Sequence, residues 1–154
     1  MTEKKKMGAG LVLSVITALV TVAGLVLYMM NCKTNYFINS GVNNAVVACL
    51  AAAAILEIVM IAASMKMGAK PVLDILPVAC GVLTAYALIQ FISSRIAAIG
   101  SIMTFENNAQ NMADLKGAII GMIVCAAALI CTIISSFFKV VKDWFYERDK
   151  ERFL

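Results

Sequence analysis

The 154-residue chain contains no histidine, one tryptophan and two prolines, and only 14% of its residues are charged. Without imidazole it lacks the commonest metal ligand and the commonest acid/base group near neutral pH, which argues against metal centres and histidine-dependent triads. No C-x-x-C pair, Gly-rich phosphate loop, nucleophile-base motif or pair of catalytic carboxylates occurs, so neither an enzyme nor a bound cofactor or metal is expected. Arginines interleaved with aromatics are also missing, which leaves no electrostatic footprint for nucleic acid.

Five cysteines are present, four of them (Cys49, Cys80, Cys125 and Cys131) within apolar runs where a thiol behaves as a small hydrophobe. Only Cys32 is expected to be exposed. One exposed thiol cannot reach partners inside lipid, so a disulfide-stapled ectodomain is excluded. The ten methionines read as adaptable packing.

What the chain has in abundance is apolar sequence, with 62% hydrophobic residues, well beyond soluble domains. The fold class read from this is an all-α integral membrane protein, residues 1–154 forming one domain of four transmembrane helices in an antiparallel bundle. Spans are expected over about 8–30, 45–65, 72–92 and 117–138, each long enough for a hydrocarbon core of about 30 Å. The first is read as a retained span, because it is long for a signal-peptide core and no small-x-small cleavage site follows it.

Asn31 to Asn44 and Glu106 to Lys116 are polar loops, with Asp114 a candidate N-cap for the fourth helix. Lys66 to Lys70 is a short basic connection. Pro77, near the start of the third span, is expected to kink that helix. Residues 93–105 either extend the third helix to about 104 as a projection or lie along the membrane interface. After the fourth span, residues 139–154 read as an amphipathic helical extension with Val141, Trp144, Phe145 and Arg148 on one side.

With both termini cytoplasmic, the two tails and the Lys66 to Lys70 connection hold all Lys and Arg except Lys33, Arg95 and Lys116. The positive-inside rule therefore predicts cytoplasmic termini. The composition fits a multi-pass protein of a bacterial plasma (inner) membrane.

Glu57 is the outlier, a carboxylate in the middle of AVVACLAAAAILEIVMIAASM. A charge at membrane depth costs roughly 2.5–3.5 kcal/mol on insertion scales, so it faces protein or water. Depth counting sets it level with Thr17, Cys80 and Thr84, with Asp74 nearer the surface and no basic residue alongside. Three roles stay open: a structural hydrogen bond to Thr17, Thr84 or a carbonyl; a contact with another subunit; or a coupling or pore-lining carboxylate in a small oligomeric transporter or channel.

Small residues form two seams. Gly10, Ser14, Thr17, Thr21 and Gly24 share one face of the first helix; Gly117, Gly121, Cys125, Ala128, Thr132 and Ser135 repeat the device on the fourth. Each seam either packs the bundle or meets another subunit. On the third helix, Asp74, Pro77, Gly81 and Ala85 are read as one face. Gln90 and Arg95, near its far end, are expected to bond lipid headgroups or loop residues.

The function expected from these features is that of a non-enzymatic accessory or structural subunit of a homo-oligomer or larger membrane complex. Its partners are the bilayer, itself or another integral membrane protein, and a cytoplasmic protein docking at the C-terminal tail, for which a membrane-surface anchor is the competing reading.

Overall fold

A computed structural model of the chain describes residues 9–67, 73 and 75–138. Among these the structure is helical with no strand: α1 (Ala9–Cys32), α2 (Asn44–Met67), α3 (Ile75–Thr104) and α4 (Ala109–Ser136), with a 3-10 turn at Ile38–Ser40 between α1 and α2. All four helices are long and apolar enough to cross a membrane, the architecture of a multi-pass membrane protein. Asp74 and the tail residues Val141, Trp144, Phe145 and Arg148 lie outside the described residues.

Each helix packs on its neighbours in the chain, and α1 closes the ring against α4. Lipid offers no hydrophobic drive for this assembly, so it depends on close backbone approach and interior polar bonds. The small-residue faces supply that approach. Gly10, Ser14, Thr17, Thr21 and Gly24 are buried on α1, and Gly121, Cys125 and Ala128 on α4, with Gly117 partly so. A Cβ on Gly24 would lie 3.0 Å from Cys125 Sγ, and one on Gly121 would lie 3.1 Å from Phe91 Cε1. The seams therefore meet protein within the bundle. Valine, isoleucine and leucine face outward, among them Val12, Leu19, Ile58, Val82, Ile89 and Ile123.

The helix ends correct several expectations. α3 begins at Ile75, so Pro77 sits in the first turn, where backbone N–H groups have no intrahelical acceptor and the proline ring costs nothing. The α4 cap is Asn108 rather than Asp114: its Oδ1 accepts from Asn111 N at 2.8 Å, in extended backbone geometry. On α3 the buried stripe is Cys80, Thr84, Ala87, Phe91, Arg95 and Ile102, displaced from the face expected from Gly81 and Ala85.

α3 is one continuous helix of 30 residues, about 45 Å at 1.5 Å per residue, longer than a bilayer core needs. Its C-terminal part and the start of α4 form a hairpin that reaches past the end of α1. The α1–α2 connection folds onto this hairpin. Phe37 joins Ile102, Leu115 and Ala118 in a small core; Tyr36 N donates to Asp114 Oδ2 at 3.0 Å, and Asn31 Nδ2 donates to Asp114 O at 3.2 Å. Gly41 turns the chain with φ 68°, a conformation costly for residues with a Cβ, and Asn43 N donates to Tyr28 Oη at 2.7 Å. One end of the bundle is thus capped, and the other carries the start of α1 and the end of α4.

Candidate functional site

Glu57 is 2% exposed and faces the interior of its own bundle, not an outer face open to another subunit. Its position on α2 shares a buried stripe with Leu50, Ala53, Met60 and Ser64, the 3- and 4-residue spacing that lines one side of a helix. Its oxygens meet hydroxyls from two other helices: Thr21 Oγ1 on α1 is 3.4 Å from Oε2, and Thr132 Oγ1 on α4 is 3.4 Å from Oε1.

These are not the hydroxyls expected from depth counting. Thr17 and Thr84 are buried but donate to their own helices, to Leu13 O and Cys80 O, each at 2.8 Å. The difference is one helical turn on α1 and a different helix altogether for the second hydroxyl. Cys80, on α3, donates to Ala53 O on α2 at 3.6 Å, one turn from Glu57. Toward the end that carries the start of α1, Ser14, Ser64 and Ser135 are also buried.

Two more charged residues are buried in the capped half, Asp114, which accepts from the loop, and Arg95. Arg95 is 1% exposed, and of the two contacts expected for it, lipid headgroup or loop residue, it makes the second. Its Nη2 donates to Cys32 Sγ at 3.0 Å, and its guanidinium carbon lies 4.5 Å from the Phe37 ring centre and 5.8 Å from that of Tyr28. Nε has no partner, and neither does Asn31 Oδ1. Cys32, expected to be exposed, is buried beneath this arrangement. Gln90 lies one turn deeper; it accepts from Asn43 Nδ2 of the α1–α2 connection at 3.5 Å, the loop contact expected of it, and donates to Tyr86 Oη at 3.0 Å.

The sequence carried a signal for Arg95. It follows Phe91 by four residues and Thr84 by eleven, on the same stripe of α3, so helical periodicity aims it inward. The aromatic pair that covers it comes partly from the loop, Phe37, and no periodic pattern on α3 reveals that. Both cysteine and guanidinium were hidden by the folding back of this loop.

The structure is a four-helix membrane bundle with a carboxylate between two hydroxyls in one half and an aromatic-covered guanidinium in the other. Comparison with known proteins gives no matching family model, no matching curated protein and no matching solved structure. No group of three or more Cys, Asp or Glu suited to a metal ion occurs among the described residues.

Proposed function

We propose that this protein is a non-enzymatic tetraspan subunit that assembles with itself or with a larger membrane complex, such as a transporter or secretion assembly. The observation that carries the reading is the capped end. A loop tied to the α3–α4 hairpin by Asp114 and by Arg95 over Phe37, and to α1 by Tyr28, makes a preorganised head, and this head displays Ile38, Val42, Met103 and Phe105, the last 86% exposed. Rigid apolar side chains at the end of a bundle suit docking, because little conformational freedom is lost on contact.

In this reading both termini are cytoplasmic, the head is on the outer side of a bacterial plasma membrane, and the basic tail offers a further docking element on the inside. The test is native purification in mild detergent combined with photo-crosslinking from position 105. A cross-linked partner from position 105, with only lipid adducts from position 19 on the flank of α1, is the expected result. A lone monomer with lipid adducts from both positions overturns it.

A second reading is favoured by the placement of Glu57, an acidic side chain held among oxygens inside a protomer. In it the protein is a small transporter or channel, alone or as an oligomer, and Glu57 couples or lines the path. Reconstitution separates the two: pH-dependent ion or substrate flux in liposomes, abolished by Glu57→Gln with assembly intact, supports transport, and absence of flux in the wild type defeats it.

A further inference from the structure

We infer that Glu57, Thr21 and Thr132 form a binding site inside the protomer for one small positive charge, either a proton or a monovalent cation of sodium's size. The inference deepens the carboxylate reading given above and rests on it for any role in transport.

The argument starts from the number of protons available. A threonine hydroxyl has one proton to donate. Thr21 Oγ1 lies 2.9 Å from Thr17 O, and Thr132 Oγ1 lies 2.9 Å from Ala128 O, both good donor distances to a carbonyl of the preceding turn. Each hydroxyl is 3.4 Å from its Glu57 oxygen, beyond the 2.5–3.0 Å of an ordinary O–H···O bond. With the protons committed to the helix carbonyls, the lone pairs of both hydroxyls face the carboxylate. Two carboxylate oxygens and two hydroxyl oxygens then converge with nothing positive among them.

Among the described residues, none supplies that charge. On α1 and α4 the side chains meeting Glu57 are the two threonines; on α3 the titratable group facing it is the Cys80 thiol, itself engaged with Ala53 O. Lys66, on the same helix, is nine residues on and exposed. Arg95 is held at Cys32, and fifteen residues of α3 separate it from Cys80, about 22 Å at 1.5 Å per residue. A proton on Glu57 would bridge one hydroxyl; a small cation would take oxygens from all three side chains, the hard-ligand chemistry that suits such ions.

Further buried hydroxyls lie beside the site. Ser14, 1% exposed, leaves its Oγ without a partner, on the same face of α1 as Thr17 and Thr21. Ser64 and Ser135 are buried with it on the side of Glu57 toward the start of α1 and the end of α4. Buried hydroxyls without partners are uncommon, and one placed on this face gives an incoming proton or ion a resting point.

The test uses the full-length protein in detergent and in liposomes. Infrared difference spectra of wild type minus Glu57→Gln read the protonated carboxyl band directly, and the unfolding midpoint is compared in sodium, potassium and choline chloride at equal ionic strength. A protonated band insensitive to sodium identifies the proton as occupant. A midpoint raised by several degrees in sodium alone, and lost in both Glu57→Gln and Thr132→Val, identifies the cation. Thr21→Ser, which keeps the oxygen, should preserve either signature, and Thr21→Val should weaken it. An ionised Glu57 at neutral pH with no dependence on the cation overturns the inference. Flux is measured separately: binding without flux defeats the transport reading alone.

Discussion

Among the described residues, Arg95 in one half of the bundle and Glu57 in the other are each buried without an ion-pair partner, and the protein accommodates them by opposite means. Around Arg95 the protein uses apolar bulk: Tyr28 and Phe91 meet edge to face with centroids 4.8 Å apart, Phe37 covers the guanidinium, and Leu50, Val46 and Ala87 fill the remaining space. Around Glu57 it uses small polar side chains whose hydroxyls already serve their own helices. A cation can be held by aromatic faces, worth about 0.5–2 kcal/mol, whereas a carboxylate gains nothing from them and needs donors or a cation. The lesson is that the aromatic half is built to stay closed, and the hydroxyl half is built to accept something.

The largest test of that contrast is Phe91→Ala. The ring is fully buried, stacks on Tyr28 and fills the space that Gly121 leaves, so its loss should cost about 3–5 kcal/mol of unfolding free energy measured in bicelles. A cost below about 1 kcal/mol would show the capped half to be loosely packed and would erase the distinction.

Arg95→Met should move stability in the other direction. The guanidinium has no anionic hydrogen-bond partner among the described residues and an unpartnered Nε, so an unbranched apolar side chain of similar length should stabilise by about 1–2 kcal/mol. Methionine would also keep contact with Phe37 and Tyr28 through its sulfur. The same bicelle measurement checks this. Loss of stability would mean that Arg95 holds an anion, making both halves receptive.

How far the sequence revealed this contrast depends on which helix is considered. Four spans were legible because apolar runs of that length have few other uses, and the α1 and α4 seams were legible because 3- and 4-residue spacing of small side chains defines a face. Glu57 stood out for the same reason. Its partners did not: counting residues from the helix ends sets depth to within a turn, and one turn separates Thr17 from Thr21. Rotation and tilt of the helices, decided by packing against neighbours, brought Thr132 in place of Thr84. Cys32 and Asp114 were misread, and the burial of Arg95 under its loop contacts was missed, because a loop that folds back over the bundle converts a nominal surface into an interior, and hydropathy contains no term for that.

Gly121→Ala is a smaller perturbation and probes where the two halves join. The new methyl would lie 3.1 Å from Phe91 Cε1 and 3.2 Å from Cζ, tighter than ordinary carbon contacts, so the ring must shift. Overpacking of this kind should cost about 1–2 kcal/mol. Combining it with Phe91→Leu should recover part of the loss, and additive losses in the double variant would show that the ring is not what the methyl meets.

The smallest effect is expected at the most conspicuous residue. Glu57→Gln keeps the shape of the side chain, and Thr21 and Thr132 keep their bonds to Thr17 O and Ala128 O whether or not a carboxylate is present. Its two contacts at 3.4 Å are long, and hydrogen bonds contribute about 0.5–1.5 kcal/mol each even when well made. The unfolding free energy should therefore change by less than about 1 kcal/mol. A loss above about 3 kcal/mol would show that the carboxylate clamps α2 to α1 and α4, so that the hydroxyl half is closed like its counterpart and Glu57 is a fastener. A near-neutral outcome leaves a buried acid that adds little to the stability of the fold, as a group kept for binding a positive charge should.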